Sequence, residues 1–146
     1  MDTKSFDLFN MIVLYLLIQL FENFPKPIDI DAKSLGLNAI PKKESEREGE
    51  VWNYMNLAGD TVTWLQKEGF IEVHNVAYGS NYMGVRLTLK GLTLLGYTPL
   101  KSETNDKLST LAEEGKKVLL EGTREGATEV VKQLFISSLR YIPQAF

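Results

Sequence analysis

Apolar residues crowd together near the start of the chain. From Leu8 to Phe21 nearly every position is apolar, with Asn10 and Gln19 as polar interruptions. These fourteen residues fall short of the about 20 that a membrane-spanning helix needs. Asp2, Lys4 and Asp7 precede them, and the exit is Glu22-Asn23-Phe24-Pro25, so neither the basic leader nor the small-residue cleavage site of a signal peptide is present. The pattern predicts a buried helix over residues 5–24, capped by Ser5. An interfacial or dimer-facing helix is the second option. A helix apolar on nearly all sides must be covered on nearly all sides, by a C-terminal helix or by a partner subunit.

Pro25 and Pro27 stop that helix. Ile28 and Ile30 then alternate with Asp29 and Asp31, the two-residue period of a short strand. Asp31 or Lys33-Ser34 can begin a brief helix through Leu35 and Leu37. Ser45-Glu46-Arg47-Glu48 forms a capping box ahead of a longer helix. The carboxylates Glu44 to Glu50 favour the positive end of its dipole. Val51, Met55, Ala58, Val62 and Leu65 make its apolar stripe, and Gly69 supplies a left-handed stop. Asn53, Asn56, Asp60, Thr63 and Lys67 fall on the opposite, polar face. Residues 70–74 read as a strand, Gly79-Ser80-Asn81 as a turn, and residues 82–87 as the returning strand. Thr88 can cap a short helix that ends at Gly96. After Thr98-Pro99 the texture becomes polar, and residues 108–139 read as one long helix softened by Gly115, Gly122 and Gly126.

The division expected is therefore a domain over residues 1–99, and a linker with a C-terminal helical extension over 100–146. The fold class is mainly α with a small β-hairpin. Of the 146 residues 44% are hydrophobic, enough for a real core, and the net charge is −3. That balance argues against a broad electrostatic clamp on nucleic acid. The absence of cysteine removes disulfides, thiolate metal sites and Cys nucleophiles, and suits a cytoplasmic protein. The lone histidine, His74, has no nucleophile elbow or phosphate loop beside it. No enzyme, metal site or cofactor is expected.

The order of elements up to Gly91 resembles the winged helix-turn-helix superfamily, over about residues 5–97. Val62, Leu65, Gly69 and Ile71 carry the resemblance, together with Leu87-Thr88-x-Lys90-Gly91. In DNA-binding members the long helix enters the major groove and the hairpin touches phosphates or the minor groove. The resemblance thus implies a DNA-binding transcriptional regulator acting as a dimer. Its nucleic-acid candidates are Lys42, Lys43, Arg47, Asn53, Asn56, Thr63, Lys67 and Arg86. The alternative is a winged-helix protein–protein interaction or scaffold module that does not bind DNA. In favour of this alternative, residues 74–83 hold no Lys or Arg. Its partner-binding candidates are Tyr78, Tyr82, Leu119, Val130, Leu134 and Phe135. The tail from Val130 to Ile142 is amphipathic but has too few cations for strong lipid attraction, so a membrane role is not expected. Self-association is expected, because the C-terminal helix cannot bury its stripe on itself.

Overall fold

The computed structural model describes residues 3–39, 48–77, 80–95, 117 and 124–139, with side chains for all of these except 3–7, 48–52, 124–127, 134 and 137–139. The helices are α1 (Thr3–Asn23), α2 (Ala32–Ala39), α3 (Glu48–Lys67), α4 (Leu89–Leu94) and α5 (Arg124–Leu139). The strands are β1 (Ile28–Asp31), β2 (Ile71–Glu72), β3 (Asn75–Ala77) and β4 (Asn81–Leu87). The described chain is mostly helical with one small antiparallel sheet. The capping box at Ser45, the boundary at 99–100 and the predicted helix over 108–123, apart from the helical Lys117, lie outside the described residues.

The N-terminal helix is the centre of the core. Met11, Ile12, Val13, Leu14, Leu16 and Leu17 expose 1% or less of their surface. Burial of each such side chain contributes about 1.5–3 kcal/mol. The cover comes from all around: α2, α3, β4 and α5 pack on α1. The apolar surface that invited a second copy is thus buried within one chain. Among the described residues no helix is long and apolar enough to cross a membrane. Asn10 is buried inside this apolar stretch and donates through Nδ2 to Thr128 Oγ1 on α5 at 3.4 Å. A buried amide costs free energy unless it is bonded. The bond therefore ties one position of α5 to one position of α1.

The longest amphipathic helix ends as its sequence predicts. Gly69 has φ +82°, its N–H donates to the Gln66 carbonyl, and the Phe70 N–H donates to the Leu65 carbonyl. These two bonds satisfy carbonyls that the end of α3 would leave orphaned. Phe70 then packs back on Trp64, closing the hydrophobic part of the stop. At the start of α2, Asp31 Oδ2 accepts from the N–H and the hydroxyl of Ser34, so Asp31 is the cap.

The sheet places β4 between β1 on one side and β2 with β3 on the other. The strand expected over 70–74 is two strands, interrupted at 73–74, although both pieces share one register against β4. The cause lies in β4. Ile28 faces Val85 and Ile30 faces Tyr82, so Met83 and Gly84 together oppose the single residue Asp29. This is a β-bulge with Gly84 at φ +64°. Asp29 Oδ1 accepts the Gly84 N–H at 3.0 Å, which pairs a donor that the bulge removes from the ladder. Across the hairpin, a Cβ on Gly84 would come within 2.8 Å of His74 Cβ. Gly84→Ala combines a left-handed backbone cost of about 1–2 kcal/mol with that contact. A destabilisation near 2 kcal/mol is expected by urea unfolding, and a neutral effect would refute the bulge.

Candidate macromolecule-binding face

The outer side of α3 carries the face that the polar spacing predicts. Asn53, Asn56, Asp60 and Lys67 are exposed, and Thr63 is half-buried. Among the described residues, none receives a side-chain bond from Asn53, Asn56, Asp60 or Lys67. Thr63 turns its hydroxyl inward to donate to the Gly59 carbonyl at 3.0 Å. The same carbonyl accepts from the Tyr82 hydroxyl at 3.2 Å, which fastens the start of β4 against α3. Between them lies a small hollow of about 150 Å³, lined by Ala32, Met55, Asn56, Gly59, Asp60, Thr63, Ser80 and Tyr82.

Of the predicted cations among the described residues, Lys67 lies on this face and Arg86 is engaged elsewhere. Lys42, Lys43 and Arg47 lie outside the described residues. Arg86 stands directly opposite Glu72 across the hairpin, and its guanidinium holds that carboxylate through Nε and a terminal nitrogen. A second terminal nitrogen donates to the Pro25 carbonyl at 3.3 Å. With the two side chains 41% and 49% exposed, such a pair contributes at most about 1 kcal/mol to stability. Its larger consequence is that Arg86 is already neutralised. Lys90 is likewise occupied, donating to the Glu68 carbonyl at the end of α3 and sitting 4.6 Å from the centre of the Phe70 ring.

The Leu87-Thr88-x-Lys90-Gly91 motif is explained by structure alone. Leu87 is buried in the core. Thr88 caps α4 by accepting the Gly91 N–H, donates its hydroxyl to the Gly69 carbonyl, and gives its own N–H to the Phe70 carbonyl. Lys90 caps α3, and Gly91 permits close backbone contact with Phe70. The motif welds the end of α3 to the start of α4 and leaves no group for chemistry.

The partner candidates separate in the same way. Tyr78 and Leu119 lie outside the described residues, as does the side chain of Leu134. Tyr82 and Val130 are buried within the chain. Phe135 is half-buried against Trp64 and Phe70, with ring centroids 5.9 Å away from each. Trp64 also meets Phe9 edge-on at 5.5 Å and keeps 38% of its surface exposed. This aromatic cluster is where α5 closes over α1 and α3.

A second, open groove of about 540 Å³ runs over the outer face of the sheet, between Pro27, Glu72, Val73, His74, Gly84 and Arg86. Gly84, which has no side chain, and the Glu72–Arg86 pair are part of its lining. His74 is exposed here, and among the described residues its ring has no hydrogen-bond partner to orient it as a general base would require. Among the described residues no three of His, Asp and Glu come together as a metal site.

Two features of this face escape sequence reasoning. The Glu72–Arg86 pairing depends on hairpin register, for which the spacing of the two strands was the only signal. The approach of Ser80 and Tyr82 to Asp60 depends on the angle between hairpin and helix, for which no local signal exists. Compared with protein-family models, curated proteins and solved structures, the chain matches none.

Proposed function

We propose that the chain is a winged-helix domain extended by a C-terminal helix, and that it is a non-enzymatic module docking a protein partner on the outward face of α3. The order α1, β1, α2, α3, hairpin supports the winged-helix assignment, with α2 and α3 packed on each other and β1 paired to the second hairpin strand. One observation carries the choice of partner. Arg86 and Lys90 are spent on Glu72 and on the Glu68 carbonyl, while Asp60, in the middle of the face, has no ion pair among the described residues. Phosphate contacts supply most of the affinity for DNA, and of the described nucleic-acid candidates with a cationic side chain only Lys67 is left for them. Selection of displayed random peptides on the full chain is expected to return binders that lose affinity for the Asn56→Arg/Thr63→Arg variant. No enrichment, or enrichment indifferent to that variant, would overturn the proposal.

The DNA-regulator reading has its own support in the adjacent amides of Asn53 and Asn56, exposed and unused, because asparagine pairs bidentately with adenine. In that reading only Lys42, Lys43, Arg47 and Lys67 remain for phosphates. Four such contacts give a slope of log K against log salt of about −3.6, or roughly 150-fold weaker binding between 50 and 200 mM salt. Anisotropy of a labelled duplex measures this. Binding with that slope favours the regulator, and absence of binding at low salt removes it.

A further inference from the structure

We propose that the hollow in the middle of the α3 face receives an arginine side chain of the docked protein. This deepens, and rests on, the protein-docking reading. The lining supplies what a guanidinium needs. Asp60 contributes a carboxylate with no ion pair among the described residues, and Asn56 contributes an amide that none of them uses. Ser80 and Thr63 add hydroxyl oxygens, Thr63 with its proton already committed to the Gly59 carbonyl. Among the described lining residues there is no Lys or Arg, and Asp60 is the charged side chain of the hollow.

Size and floor agree with the same occupant. The volume of about 150 Å³ corresponds to roughly five water molecules at about 30 Å³ each. A planar guanidinium, with four heavy atoms, enters such a space with room for water, and its donors form a rigid fork that matches a carboxylate. The floor is Gly59, which has no side chain, flanked by Met55 and by Tyr82, whose hydroxyl is held on the Gly59 carbonyl. A planar cation can lie flat there, with its edge toward Asp60. A lysine ammonium would fill the hollow less completely and could not form the two parallel bonds.

The full-length protein, labelled with ¹⁵N, is titrated with Nα-acetyl-arginine amide and, separately, with the neutral isostere Nα-acetyl-citrulline amide. Amide shifts are expected at Asn56, Gly59, Asp60, Thr63 and Ser80 with arginine alone, and about tenfold weaker binding is expected for Asp60→Asn. Asp60 is exposed, so this variant keeps the fold. Equal shifts with citrulline, shifts unchanged by Asp60→Asn, or no shifts at the solubility limit would each overturn the inference. Displayed peptides separate this failure from failure of the reading beneath it. If selected peptides bind the α3 face without a basic residue, the arginine inference falls and protein docking stands. If no peptide binds while duplex DNA does, both fall. A duplex would meet Asp60 as a repulsion, so Asp60→Asn would then tighten DNA binding.

Discussion

Gly91→Ala is expected to destabilise the protein by at least about 3 kcal/mol, toward the upper end of overpacking effects. A Cβ on Gly91 would lie inside the van der Waals surface of the Phe70 carbonyl oxygen, and it would also press on a Leu87 methyl carbon at 3.1 Å. Both neighbours are fixed. Phe70 is buried at the stop of α3, its carbonyl accepts the Thr88 N–H, and Leu87 is buried in the core. Neither can rotate out of the way as an exposed side chain would. The remaining response is to move α4 off the end of α3, which breaks the Thr88 cap and the Thr88 bond to Gly69. For a chain of this length the loss corresponds to a melting temperature lower by roughly 10 °C. A fall of less than about 3 °C would mean that α4 is not held against Phe70 as described. The effect should exceed that of Gly84→Ala, whose neighbour is the exposed His74 side chain rather than buried backbone.

The second large effect is Val131→Asp. Val131 exposes 1% of its surface where α5 packs on α1. A carboxylate there is desolvated, which costs about 3–5 kcal/mol when a buried charge lacks a partner. The chain escapes this cost by releasing α5, which uncovers α1 and separates Phe135 from Trp64. In a Trp52→Phe background, Trp64 emission reports the release by shifting to longer wavelength. Thermal melting and sedimentation of both forms complete the test. Loss of α5 docking with increased self-association is the expected result, because α1 then seeks another cover. A wild-type dimer that Val131→Asp converts into a folded monomer would instead mean that α5 docks on the α1 of a second copy.

Local rules located most of the described elements. The apolar run placed α1, the four-and-three spacing placed α3, and Gly69 ended it, because each signal acts within a few residues along one helix. Asp29 was legible only as the polar half of a strand, and Asp31 as that or as the start of the brief helix after it. Asp31 then proved to be the α2 cap, a role decided within three residues. Asp29 proved to pair with the bulge at Gly84, 55 residues away. The interruption at 73–74 was not legible from residues 70–74, because its cause lies in β4 and in the pairing of β4 with β1. The outward polar stripe of α3 was legible, since periodicity alone separates a wet face from a dry one. The availability of its neighbouring charges was not. Arg86 is a free cation in the sequence and a neutralised one in the fold, and only the hairpin register decides between the two.

What the sequence by itself determined is therefore the place of most described helices and strands, the apolar face of α3, and the absence of cysteine chemistry. These follow from side-chain period, caps and composition, which are properties of neighbouring residues. What only the tertiary structure decided is which surfaces meet. The apolar stripe of α5 states that something must cover it; the packing on α1, pinned at Asn10 and Thr128, states what does. Likewise Asp60 is one exposed carboxylate among many until Ser80 and Tyr82 are brought beside it to form a hollow. Hydrophobic burial is non-directional and fixes only how much surface is removed from water. Register, bulges and buried hydrogen bonds choose the partners, and they join residues too far apart in the chain for any local pattern to reveal.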